Sequence, residues 1–285
     1  MYENRFGRFT AVDPLLASGD PEAPQSFNRY TYTMNRPLIL TDWSGLSPTD
    51  FVDENGTRSR IDDGKDQVIA TQSQNVARLN QTFNTNRAEY NVLLGALEVT
   101  PANLNLTSNE FTARVATTYG ESSAFRMSAG EELGNEMKAI AYVNQRNNKA
   151  YGADNEQALD YQNTRMSKET DQMKLANLAV VNQVQGGHDP SNGATMWDGG
   201  EQGMFSAADT RASNGKFEIH MNVMGWNISK DHYDKWKANV GPAFKAPQVR
   251  ISPRNYPAKG YYNKDKTRLH STAVYGRTIF WRETP

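Results

Sequence analysis

Three stretches of helical periodicity between Thr107 and Gly187 constrain this chain more than any other feature of its sequence. The first opens on Thr107-Ser108-Asn109-Glu110, a capping-box pattern in which the hydroxyl and the carboxylate each satisfy an end of the backbone. Phe111, Val115 and Tyr119 then recur every four residues as one apolar stripe, and Gly120 reads as a stop. A second helix is expected from Ala129 to Arg146, packed through Leu133, Met137, Ile140, Ala141 and Tyr142. Glu131 and Glu132 fall in its first turn, where acids suit the helix dipole. The third is expected from Lys168 to Gln185, capped by Ser167, with Met173, Leu175, Ala176, Leu178, Val180 and Val184 on its apolar side and Gly186-Gly187 ending it. His270 to Trp281 alternates around Tyr275-Gly276-Arg277 as a hairpin does. The fold class expected is α+β, mainly α, with a small β-hairpin element.

Composition narrows the function. Hydrophobic residues make up 37% of the 285, below the usual globular share, so a compact domain with a polar appendage is expected. Five Trp, thirteen Tyr and eleven Phe supply core anchors. The net charge is −1 and no basic stripe stands out, so a nucleic-acid partner is not indicated. The absence of Cys excludes a disulfide framework, thiolate catalysis and Cys-ligated zinc. There is no basic-then-apolar leader and no apolar run long enough for a membrane span, so export is expected to depend on a carrier.

Residues 1–46 read as a separate segment. Tyr30, Tyr32, Leu38 and Leu40 are strand-type positions broken by Asn, Pro and Gly turn residues, too few to build a core alone. Gly7-Arg8-Phe9-Thr10-Ala11-Val12-Asp13-Pro14-Leu15, Asn35-Arg36-Pro37-Leu38 and Thr41-Asp42-Trp43-Ser44-Gly45-Leu46 together resemble the C-terminal end of an RHS-repeat-associated core. The resemblance implies docking on a larger β shell and, through Asp13 and Asp42, autoproteolytic release of the cargo after Leu46. Leu16 and Trp43 depart from the family's pattern, and turn aspartates beside Pro or Gly also need no such role. Residues 47–106 read as a polar spacer, with a helix over Gln72–Leu97 that ends before Pro101.

Glu121 is the candidate catalytic residue. At the carboxyl end of a core-packed helix it meets the negative end of the helix dipole, and apolar walls would add desolvation. Both keep a carboxyl protonated near neutrality, as a general acid requires. Four blocks then occur in order: Tyr119-Gly120-Glu121, Ala139-Ile140-Ala141-Tyr142-Val143-Asn144-Gln145-Arg146, Asp189-Pro190-Ser191-Asn192-Gly193-Ala194-Thr195, and Val274-Tyr275-Gly276-Arg277-Thr278-Ile279-Phe280-Trp281. Together they resemble a SleB-type cell-wall hydrolase domain, here spanning 107–285. Ser122-Ser123-Ala124-Phe125 and the Gln145 between Asn144 and Arg146 depart from that pattern.

The resemblance implies a lysozyme-like helical domain that cleaves peptidoglycan glycan strands as a lytic transglycosylase or muramidase, with Glu121 as its acid and no metal or other cofactor. It gives substrate-binding expectations to Tyr119, Asn144, Arg146, Ser191, Thr195 and Trp197. Asn144 and Arg146 read more readily as structural bonds of the cleft floor than as substrate contacts, and Trp197 as either a sugar platform or core. The RHS resemblance adds an effector cargo delivered to the periplasm or cell wall, an RHS shell or secretion apparatus, and an immunity protein as partner. Two other readings stay open: an RHS-borne metal-dependent nuclease or amidase, and an inactive glycan-binding module. His188, His220, His232 and His270 show no zinc-binding spacing.

Overall fold

The structure, a computed structural model, describes residues 2–3, 8–9, 47–148, 155–200, 226–244 and 268–284. Its class is α+β, mainly α. Near the start, β1 (Tyr2–Glu3) pairs antiparallel with β2 (Arg8–Phe9). Asp13 and Asp42, the residues of the autoproteolysis expectation, lie outside the described residues.

Residues 47–106 are not a spacer. They form β3 (Thr49–Val52), β4 (Arg58–Ile61), β5 (Gln67–Ala70), α1 (Ser73–Thr85) and α2 (Arg87–Glu98). The single helix expected over Gln72–Leu97 is two, broken at Asn86, whose side chain accepts from the Glu89 amide to cap the second. In the sheet β3 is central, antiparallel to β4 and parallel to β5. Alternation along its strands serves two cores. Phe51 and Ile69 face Leu79, Tyr90 and Leu94 of the helix pair, whereas Val52 and Val68 face the helices that follow.

Those helices are α3 (Ser108–Glu121), α4 (Glu131–Asn147), α5 (Glu156–Asn163) and α6 (Asp171–Val184). Thr107 and Glu110 make the capping box that starts α3. Asn148, in the left-handed region at φ 46°, ends α4. The cap of α6 is Thr170, not Ser167, because Met166–Lys168 closes as a separate 3-10 turn. Phe111, Val115, Leu133, Met137, Tyr161, Met173 and Val180 share one core.

Beyond them lie β6 (Met196–Asp198), β7 (Trp226–Asn227), α7 (Lys230–Val240), β8 (Arg268–Tyr275) and β9 (Thr278–Thr284). The strands join in the order β6-β9-β8-β7. Ala273 and Phe280 pack on Ala139, Ile140 and Val143 of α4, while Val274, Ile279 and Trp281 pack on Tyr233 and Trp236 of α7. The three-stranded and the four-stranded sheet are thus each a middle layer, and α3–α6 form the body between these two. No helix among the described residues is long and apolar enough to cross a membrane.

Candidate functional site

Glu121 is the last helical residue of α3 and is half-buried, whereas the helix behind it is fixed by buried Phe111, Val115, Ala116 and Tyr119. Gly120 does not stop the helix. It lies inside the last turn because a β-carbon there would stand 2.6 Å from Asn155 Oδ1 and 2.9 Å from Ala158 Cβ. The missing side chain lets the start of α5 approach. Asn155 then works twice: its Oδ1 accepts from the Ala158 amide at 2.7 Å, capping α5, and its Nδ2 donates to Glu121 Oε1 at 3.3 Å. Ser122 closes α3, its Oγ donating to the Tyr119 carbonyl at 2.8 Å, and the short 3-10 turn Ala124–Arg126 follows.

Behind this turn lies a second carboxyl that sequence reasoning missed. Glu136, in the middle of α4, is fully buried. Its Oε1 accepts from Ser123 Oγ at 2.8 Å and from Thr278 Oγ1, and its Oε2 accepts from the Ser123 amide at 3.3 Å. Burial pushes its pKa up to about 7, against the downward pull of Thr278 and Ser123 and with a further push from Glu132. Glu132, one turn earlier, accepts from the Gly276 amide at 3.2 Å and pairs with Lys235 at 3.0 Å. A signal was present: Leu133, Glu136, Met137 and Ile140 lie on one helical stripe, so a glutamate occupied an apolar position.

Tyr119 is core. Its ring is 6.0 Å from those of Tyr161 and Phe125, and burial raises its pKa, helped by Asp160. Phe125 is 58% exposed, the large apolar side chain nearest in sequence to Glu121 on the surface.

The remaining predicted residues gather elsewhere. Arg146 binds Ser191 Oγ at 3.1 Å, the Ala194 carbonyl and the Asp189 carboxylate, so it clamps the 189–195 turn. Asn147, also missed, donates to the Thr195 carbonyl at 2.7 Å. Ser191 is fully buried and accepts from both Arg146 and the Ala194 amide. Thr195 joins β9, its amide donating to the Trp281 carbonyl at 2.7 Å and its hydroxyl accepting from the Glu283 amide. Ser191 and Thr195 are therefore spent on holding the turn. Asn144 is half-buried, and its Oδ1 takes no hydrogen bond among the described residues. Trp197, half-buried, sits opposite Phe280 in the sheet and packs beside Tyr275 on the α4 cluster.

These residues gather around the 189–195 turn and the β6–β9 pair. Arg146 lies ten residues beyond Glu136 on the same helix, about 15 Å along its axis. A groove of about 390 Å³ between α4 and α6, lined by Gly134, Lys138, Leu175, Leu178 and Val181, contains none of the predicted site residues. Among the described residues no three His, Asp or Glu side chains are placed to share a metal ion. Compared with family models, with curated proteins and with solved structures, the chain finds no match in any of the three.

Proposed function

We propose that this chain cleaves the glycan strands of bacterial peptidoglycan, with Glu121 as the general acid. The observation that carries the reading is the setting of Glu121. It is a half-buried carboxyl on the last turn of a core-packed helix, held by the amide of Asn155 and followed by a turn that is itself pinned from below. A proton donor at a glycosidic oxygen must be accessible yet held in one orientation.

In the scheme implied by the SleB-type resemblance, Glu121 gives its proton to the leaving glycosidic oxygen as the bond from the muramic acid C1 breaks. The 6-hydroxyl oxygen of the same sugar then bonds to C1, and its proton passes to Glu121. The product is a 1,6-anhydro sugar, and the acid is restored. One carboxyl serves both transfers, which suits a site where Glu136 is too deeply buried to meet a substrate. Hydrolysis by water, the muramidase outcome, would need a second exposed group. The RHS-type segment before residue 47 supports the further proposal of an effector cargo, guarded in the producer by an immunity protein.

The test is digestion of purified peptidoglycan by the full chain, wild type and Glu121→Gln, with mass spectrometry of the products. Anhydro-muropeptides are expected from the wild type, with a loss of roughly 10²–10⁴-fold in the variant. Reducing-end products lost in the variant would keep the acid but change the reaction to hydrolysis. No soluble product from the wild type would defeat the reading.

A further inference from the structure

The chain leaving Glu121 is not free to choose its path. A helix terminus frays because its last carbonyls lack intrahelical partners. Here the residue two positions beyond the acid gives both its amide and its hydroxyl to one buried carboxyl, Glu136. The same carboxyl takes the hydroxyl of Thr278, itself 1% exposed, at the start of β9. All three donors are neutral, and both carboxyl oxygens are used.

The far side of this bridge is also fixed. The hairpin tip is Gly276-Arg277. Trp236 Nε1 of α7 donates to the Arg277 carbonyl at 2.9 Å, and Asn239 of the same helix donates to the Gly276 carbonyl. Glu132 takes the Gly276 amide. Gly276 has φ +53°, and a β-carbon on it would stand 2.5 Å from Glu136 Oε2 and 2.9 Å from Met127 Sδ. The tip is shaped to admit this carboxyl. An apolar residue at 136 would fill the stripe between Leu133 and Met137 without the cost of burying a polar group, but it would have no directional hold on Ser123.

We infer that Glu136 is a positioning residue for Glu121: its carboxyl pins Ser123, and with it the end of α3, to the tip of the β8–β9 hairpin. The inference rests on the reading of Glu121 as the acid. It assigns Glu136 no contact with substrate. Its work is to hold Glu121 at a constant place relative to the hairpin, and loss of that hold lowers turnover with little effect on binding.

The experiment uses the full chain with Glu136→Gln, Ser123→Ala and the double variant, read in two ways. Amide hydrogen exchange should quicken about tenfold or more over residues 122–126 and stay unchanged over 108–116. On peptidoglycan, kcat should fall roughly ten- to a hundredfold with KM within about twofold, the double variant being no slower than Glu136→Gln alone. Ser123→Thr, which keeps the hydroxyl, should restore the rate. If Glu136→Gln does not fold, Ser123→Ala leaves the carboxyl and its Thr278 bond in place and runs both measurements. Unchanged exchange over 122–126 overturns the clamp. Faster exchange with unchanged kcat overturns the positioning role. A wild type that releases nothing from peptidoglycan overturns the parent reading, and the exchange data separate that failure from failure of the clamp.

Discussion

Glu169 and Glu136 are both buried carboxyls that join a sheet to the helical body, and they are held by opposite means. Glu169, between the 3-10 turn Met166–Lys168 and the start of α6, meets the guanidinium of Arg58 from β4 at 2.6 Å and the amide of Asn177 at 2.8 Å. Asn177 also donates to the Gly56 carbonyl at 2.8 Å and accepts from Tyr161 at 2.6 Å, and Arg58 lies over the Tyr161 ring. Glu136 meets only hydroxyls and an amide. Burial raises the pKa of both, but at Glu169 the cation pulls back strongly. The first joint is an ion pair that depends on its partner. The second is a neutral-donor cage that depends on pH.

The comparison breaks most visibly at Arg58. Arg58→Ala should leave Glu169 buried and uncompensated and cost about 3–5 kcal/mol in urea unfolding. A loss below about 1 kcal/mol would mean that the carboxyl escapes to water. The next effect is a pH dependence. The unfolded chain releases the Glu136 proton near 4.5, whereas the folded chain holds it to about 7. The folded state therefore binds more protons across that window, so the contribution of this group is full below 4.5 and is lost as pH rises through 7. The loss amounts to about 3 kcal/mol. It should appear as a fall in wild-type stability relative to Glu136→Gln between pH 4.5 and 8, and parallel curves for the two proteins would contradict it. The smallest effect belongs to Tyr161→Phe, which removes the hydroxyl donating to Asn177 but keeps the ring. About 1–2 kcal/mol is expected, with no dependence on pH below 8; a neutral result would place the Asn177 carbonyl on another donor.

The sequence announced the helices better than it announced either joint. Helices α3, α4 and α6 carry periodic stripes and caps, so their existence was legible to within a few residues. The 47–106 segment was not, because its polarity is spent inside. Thr49 and Asp50 are fully buried, the first donating to Asp63 and the second paired with Arg60 at 2.7 Å, and composition reads such residues as solvated. Gly120 misled for a related reason: its lack of a side chain serves a neighbour 35 residues later, not its own helix. Glu121 was legible as a position, and Arg146 as a structural bond. The link from Glu121 to the hairpin was not, since it runs through Ser123 to Glu136 on α4, a contact between side chains far apart in the chain.

Both joints also span long stretches of chain: 111 residues separate Arg58 from Glu169, and 142 separate Glu136 from Thr278. A ribosome adding about 5–20 residues per second needs roughly 6–20 s to make the first gap. Through that interval β3–β5 can pair while Arg58 waits for its acid, and Glu136 waits longer still for the last hairpin. The locks on this molecule close in the order in which it is written, and the acid of the proposed reaction is seated only when the final strand arrives.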